Sequence, residues 1–458
     1  MSRRRLLWRS RFDDPRAKTG EVARVSTPVV SALPASPMSL WSVTAMGIGA
    51  MVGAGIFALL GEAALQAGAE TWLAFLIGGF VAALSGYSYA RLAIRYPELG
   101  GVSAYFDHAF GIGRFSGTLS LIYLITMAAS IALVAKAFGA YAAPLVLGHP
   151  DALWANIFAS GIVVLLAVPN MMGSGLVGKA EVVLVGIKLA ILATLMIAGI
   201  VGIAGRPTVA HFKATPFGIA GCAGLTFLAY AGYSVIADAV GNVPDPKRTI
   251  PRALFLAIGA VIVLYVGLAI IVIASISPAD LARHSETAVA EAARPVLGQA
   301  GYVIVSIGAL LATASGVNAW LFSVIKMSIA LAKAGQLPRM FTRLVWREGT
   351  QGVAIGIGGI LLVINVFDLS DLASIASATF LITYLAVHIA HWRLIHKTGA
   401  SRWLVGIGIA SMVGVLGCFV LTLFSAHPWS VAAIGMFLAG SWVIESLLLK
   451  NSNRNAGH

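Results

Sequence analysis

Gly47-Ile48-Gly49-Ala50-Met51-Val52-Gly53-Ala54-Gly55-Ile56-Phe57 is the stretch on which the fold turns. It lies in an uncharged run, 40–61, long enough as helix to cross a hydrocarbon core of about 30 Å. Four glycines, Gly47, Gly49, Gly53 and Gly55, fall within nine residues, and each weakens a helix by about 1 kcal/mol relative to alanine. Close packing of two helices asks for a small residue about every fourth position, and this run has more. A helix interrupted at mid-membrane explains the excess. The break frees N–H and C=O groups, and the N-terminal end of a half-helix attracts a carboxylate.

Similar apolar runs recur along the chain. Twelve spans can be drawn, at 40–61, 72–94, 116–146, 152–170, 180–204, 217–239, 253–277, 299–332, 352–370, 373–392, 403–425 and 429–449. Of 458 residues, 59% are apolar and 11% charged, against about 25% charged in soluble domains. So few charges cannot keep a soluble domain of this size wet. In lipid only helices and closed barrels satisfy the backbone internally, and the long runs exclude the short alternating strands of a barrel. The fold class is therefore an all-α polytopic membrane protein. Cys222 and Cys418 both fall in apolar runs and read as small buried hydrophobes.

The net charge of +13 is explained by where the cations sit. With the N-terminus inside, 24 of the 31 Lys and Arg lie in cytoplasmic segments and 4 in outside loops, with Lys136, Lys188 and Lys326 within spans. That is the bias of a bilayer-inserted chain with both termini cytoplasmic in the cell (inner) membrane, and it needs no nucleic acid. Residues 1–37 open on Arg3, Arg4, Arg5, Arg9 and Arg11 with no compact apolar core before Pro34 and Pro37. They read as a basic cytoplasmic tail without a cleavable signal, suited to lie against anionic headgroups.

A second interruption is expected in the sixth span, Gly221-Cys222-Ala223-Gly224-Leu225-Thr226-Phe227-Leu228-Ala229-Tyr230-Ala231-Gly232-Tyr233. Small residues there allow unwinding, while Phe227, Tyr230 and Tyr233 suit a cavity wall or gate. Breaks in spans one and six are what an inverted five-helix repeat produces.

Four motifs then carry a resemblance. The glycine-rich run from Gly47 to Phe57 is the first. Tyr89-Ala90-Arg91-Leu92 with Tyr96-Pro97-Glu98-Leu99-Gly100-Gly101 is the second. Asn242-Val243-Pro244-Asp245-Pro246-Lys247-Arg248-Thr249-Ile250-Pro251-Arg252-Ala253 and Ala330-Leu331-Ala332-Lys333-Ala334-Gly335-Gln336-Leu337-Pro338 complete the set. In this order, over about 38–450, the chain resembles the amino acid–polyamine–organocation superfamily of permeases, and within it an archaeal proton-dependent, broad-specificity amino-acid transporter. Two positions depart from the family: Arg91 stands where Glu is frequent, and Ala239-Val240-Gly241 lacks a frequent acidic residue.

The resemblance implies a leucine-transporter-type fold of twelve transmembrane helices, with a 5+5 inverted repeat and discontinuous helices 1 and 6. It implies a ten-helix core at 38–396, with repeats at approximately 38–204 and 216–396, and two peripheral helices at 402–450. Its substrate site lies between spans 1, 3, 6, 8 and 10. Carried over by position, the amides of Ala50, Met51, Val52, Gly53 and Ala54 meet the substrate carboxylate. The carbonyls near Phe227, Leu228 and Tyr230 meet its amino group, and Tyr230 borders the side-chain pocket.

Lys188 sits mid-span in Leu184-Val185-Gly186-Ile187-Lys188-Leu189-Ala190. A permanent charge there is costly, so the residue is a functional candidate whose chemistry is proton exchange. The resemblance places such a lysine where relatives bind sodium. It would then bridge the first span near Met46 and Gly49 to the eighth near Thr313 and Ser315, and proton-coupled symport follows. Lys136 and Lys326 are weaker candidates, each able to reach a helix end, Lys326 with Asp238 as a partner.

The inferred cavity has little fixed negative charge, which favours neutral amino acids over cations. A cationic amino-acid or polyamine exchanger is the alternative. A channel would lack the two interruptions and saturable uptake. An enzyme would need a polar constellation at one depth, and no metal-spaced His/Asp/Glu cluster is found. No cofactor is expected. His108, His149, His391 and His427 read as interfacial. The expected partners are an amino-acid substrate, the proton and membrane lipid, with the oligomeric state open.

Overall fold

Ser39 starts the first helix, its hydroxyl accepting from the Ser42 amide at 3.2 Å, an N-cap that satisfies one of the donors a helix start leaves open. The computed structural model describes residues 38–97, 101–172, 177–203, 212–346, 349–426 and 428–455. The tail at 1–37 and His427 lie outside the described residues.

The glycine-rich run forms α1 (Leu40–Ala54) and α2 (Ile56–Ala67), separated by Gly55. Gly55 has φ −111° and ψ −73°, and the two helices meet at a bend of 50°. Then come α3 (Thr71–Arg95), α4 (Val102–Phe110), α5 (Arg114–Leu147), α6 (Ala152–Met172) and α7 (Val177–Ile203). The sixth span is a composite. α8 (Pro216–Tyr230) opens on the Thr215 cap and passes into a 3-10 turn at Ala231–Tyr233. It continues as α9 (Ser234–Asp238) and a second 3-10 turn at Ala239–Asn242.

Beyond it lie α10 (Pro246–Ser275), the short α11 (Pro278–Arg283) and α12 (Ala288–Glu291), and α13 (Arg294–Lys333). Gly298, at φ +68°, kinks the start of α13, a backbone that suits glycine. An antiparallel pair, β1 (Leu344–Trp346) and β2 (Gly349–Thr350), precedes α14 (Gln351–Val366) and α15 (Leu369–Arg393). The chain closes with α16 (Ile395–Thr398), α17 (Arg402–Ala426) and α18 (Pro428–Asn455).

Among the described residues nine helices are long and apolar enough to cross a membrane, ten when the bent pair α1/α2 counts as one span. The chain is thus an all-α, multi-span membrane protein. Two further expected spans correspond to shorter apolar stretches, Gln351–Val366 and Val431–Val443. Large apolar side chains face outward on α6, α7 and α17, among them Leu165, Val201 and Phe424. An aqueous surface would not tolerate that patch, and a lipid-facing one requires it.

Packing puts the broken pair at the centre. α1 touches α7, α10 and α13, while α8 touches α2, α3, α15 and α17. Without a hydrophobic driving force between helices in lipid, such packing rests on close contact through small residues. Gly53 and Gly316 supply it: a Cβ on Gly53 would stand 2.7 Å from the Ala312 carbonyl oxygen and 3.0 Å from the Gly316 Cα.

Candidate functional site

The site grows from backbone at the α1/α2 junction. Because α1 stays helical through Ala54, the amides of Ala50 to Ala54 have carbonyl partners one turn earlier in the same helix. The amides that helix geometry leaves without an intrahelical acceptor are those that open α2, on Ile56 and Phe57. The interruption thus falls at Gly55, the edge of the stretch where it was expected. Ala50, Met51, Val52 and Gly53 are all buried, as are Phe227, Leu228 and Tyr230; the side chain of Ala54 lies outside the described residues.

The sixth span does not stop and restart as expected: it runs from Pro216 to Asn242 as one span, and the departure from α geometry is confined to the 3-10 turn Ala231–Tyr233. It is a tightened turn rather than an extended gap: the Ala231 amide donates to the Leu228 carbonyl. The two irregular segments meet there. A Cβ on Gly232 would stand 2.5 Å from the Met51 nitrogen and 2.6 Å from the Ala50 carbonyl carbon. One on Gly55 would stand 2.6 Å from the Ala229 carbonyl oxygen.

Tyrosine hydroxyls secure this junction. Tyr265 on α10 donates to the Met51 carbonyl at 2.8 Å and is 3.3 Å from that of Ala229. Tyr384 on α15 donates to the Ala231 carbonyl at 2.9 Å. Tyr230, expected to border the pocket, donates across to the Phe75 carbonyl on α3 at 2.9 Å. Thr226 does the same to the Ala74 carbonyl at 2.9 Å. Around it lies an aromatic cluster: Tyr384 packs edge-on against Phe227 and Tyr233 and tilted against Tyr89 and Phe380, with ring centroids 5.0–5.7 Å apart. A buried hydroxyl that left its carbonyl unpaired would cost about 1–3 kcal/mol, so these bonds hold the irregular backbone in one arrangement.

Lys188 on α7 is fully buried. Its ammonium donates to the Gly49 carbonyl at 2.9 Å and to the Ser315 hydroxyl at 3.1 Å, joining α1 to α13. Two of the four expected neighbours, Gly49 and Ser315, are thus in direct contact. Thr313 is buried two residues earlier on α13, with its hydroxyl donating to its own helix at Ala309, 2.7 Å, and Met46 packs against the core. Of the weaker lysines, Lys136 donates to Asn156 Oδ1 at 2.8 Å, tying α5 to α6. Lys326 lies 3.9 Å from the Phe322 ring centroid and is an electrostatic neighbour of Asp238.

Several polar residues escaped the sequence reading. Tyr265 and Tyr384 carry no local motif, and Asn170 reaches Asn318 at 2.7 Å to tie α6 to α13. His391 lies in the last turn of α15 beside Arg393. Both His388 and His391 are fully buried, His388 within 3.1 Å of Ser88 and His391 within 3.1 Å of Thr398. Among the described residues no group of three or more His, Cys, Asp or Glu could hold a metal ion.

At one end of the bundle, between α11 and α12, Glu286 occupies the turn Ser285–Thr287, which packs on α2 where Gly61 leaves room for the Ser285 carbonyl. Its side chain reaches the surface, and partial desolvation by the packed turn moves its carboxyl above the ordinary 4.5; Lys136 opposes the shift, and Glu62 and Asp368 add to it. Between 4.5 and that raised value the folded state binds the extra proton, so stability is lost as pH rises through the window. Glu286→Gln is therefore expected to raise the thermal midpoint only slightly near neutral pH, because solvent screens the exposed side chain, and to leave it unchanged well below pH 4.5. A pair of melting curves checks this, and equal shifts at both pH values would contradict it.

Residues 38–446 match the family described as "Amino acid permease". The chain is 44% identical over 416 residues to the "Inner membrane transport protein YbaT" of Escherichia coli (strain K12), covering 90% of this chain and 94% of that one. It is 35% identical over 395 residues to the "Uncharacterized protein MJ0609" of Methanocaldococcus jannaschii, covering 86% and 89%. With the "Methylthioribose transporter" of Bacillus subtilis (strain 168) it shares 26% over 376 residues, covering 75% and 79%.

Proposed function

The chain belongs to the amino acid permease family, and from that premise we propose that it is a proton-coupled symporter of neutral amino acids with broad specificity, working by alternating access. It is a membrane transporter and not an enzyme. In this reading the fold is of the leucine-transporter type. Twelve spans are arranged as a 5+5 inverted repeat over 38–396, two peripheral helices follow at 402–450, and both termini are cytoplasmic.

The observation that carries the reading is the buried Lys188 ammonium between Gly49 on α1 and Ser315 on α13. A protonated amine makes charge-assisted bonds that are about twice as strong as neutral ones. Proton loss weakens the tie between the bent first span and its neighbour, which frees α1 to move. Substrate binds where that movement begins. Its carboxylate is received at the α1/α2 junction, at the Phe57 amide and the positive end of α2, and movement of α1 releases amides of Ala50–Ala54 from their helical partners to join it. Its ammonium meets carbonyls near Phe227, Leu228 and Tyr230. The aromatic and aliphatic side chains around this backbone suit an uncharged substrate side chain.

Uptake of radiolabelled alanine into proteoliposomes, with competition by neutral, acidic and cationic amino acids and by putrescine, tests the substrate class. Neutral amino acids such as serine and leucine are expected to compete. Competition by arginine or putrescine alone, with exchange independent of a proton gradient, would replace this reading with that of a cationic exchanger.

A further inference from the structure

Away from the transport core, the segment between α15 and α17 brings Arg402, with His396 bonded to it, to the rim of an apolar groove. Residues 391–406 contain Arg393, Lys397 and Arg402 and no Asp or Glu; of these Arg402 lines the groove, while Arg393 turns to α4, where it meets the Ala109 carbonyl and the Phe110 ring. The first turn of α17 likewise lacks an acid, so the positive end of that helix, which favours an anion, is left to Arg402. Arg402 donates to His396 Nε2 at 3.0 Å, and Lys397 and His396 are both exposed.

Beside them a groove of about 510 Å³ is lined by Trp392, Arg402, Trp403, Gly406, Ile407 and Ala410. Trp403 is 83% and Trp392 46% exposed, an arrangement that a water-facing surface penalises and a membrane interface favours. Gly406 forms the floor: a Cβ there would rest 3.5 Å from the Trp392 ring, so a larger side chain would fill the space.

We propose that this groove is a binding site for an anionic phospholipid, with an acyl chain along Trp392, Gly406 and Ile407 and the headgroup phosphate at Arg402, Lys397 and His396. Charge complementarity selects the headgroup: an Arg fork matches a phosphate, and no carboxylate in 391–406 competes for it. The apolar length selects a lipid over free phosphate. The surface potential of an anionic leaflet adds to the attraction.

The test is native mass spectrometry of the detergent-purified full chain with phosphatidylglycerol, phosphatidylcholine or inorganic phosphate. Phosphatidylglycerol is expected to be retained in preference to phosphatidylcholine, and inorganic phosphate not to displace it. Arg402→Ala and Gly406→Leu are each expected to weaken retention about tenfold or more, the first by removing charge-assisted bonds and the second by filling the groove. Equal retention of the two lipids, or unchanged retention in either folded variant, overturns the proposal. Should Gly406→Leu fail to give monodisperse protein, quenching by brominated lipid decides, read as the difference between wild type and Trp403→Phe. Stronger quenching by brominated phosphatidylglycerol than by brominated phosphatidylcholine is expected, and equal quenching overturns the site.

Discussion

Lys188→Ala is expected to lower proton-driven uptake by at least about tenfold and to flatten what remains against external pH. The substitution removes an ammonium that bonds Gly49 and Ser315. Bonds to a charged donor contribute about 1.5–3 kcal/mol each, and 1.4 kcal/mol is already a factor of ten in an equilibrium. Two such bonds set the balance between conformations of the bent first span. Lys188→Arg separates coupling from simple loss of a tie, because an arginine stays charged and cannot exchange the proton. It is expected to bind substrate without accumulating it. Uptake that keeps its full pH dependence in Lys188→Ala would remove the lysine from the coupling step.

The second large effect is expected at Gly232. Its neighbours are Met51 nitrogen and Ala50 carbonyl carbon, both main-chain atoms of α1 that cannot rotate away as a side-chain tip can. Gly232→Ala therefore forces the sixth span off the first. Overpacking of this kind costs about 1–3 kcal/mol, and here the displaced backbone is the proposed substrate site. The variant is expected to melt several degrees lower and to lose most transport, while Gly435→Ala, in open space on α18, changes neither. Melting curves and initial uptake rates read both outcomes. Wild-type uptake by Gly232→Ala would mean that the two irregular segments do not need this contact.

Much of this arrangement is legible in the residues themselves. Hydrophobic runs locate the helices because the bilayer demands a fixed length of apolar chain. The kink at Gly298 coincides with the expected start of the eighth span at 299. The apolar run of the ninth extends to 370, but α14 stops at Val366 and Asp368 heads the next helix, its carbonyl accepting from Leu372 at 3.0 Å. Apolar windows are blind to such caps. Lys188 stood out because a charge in an apolar run is costly wherever it lies. Tyr265 could not stand out in the same way. A tyrosine in a membrane helix looks alike at the interface and in the core, and its acceptor, the Met51 carbonyl, lies 214 residues away and has no signature in sequence.

Accumulation of a labelled neutral amino acid in proteoliposomes, driven only by an imposed inward proton gradient, bears most directly on proton-coupled transport. Uptake above equilibrium that collapses with a protonophore, together with proton entry on adding alanine, is the expected result. Alanine equilibrating at the same rate with and without the gradient, and without moving protons, would contradict it.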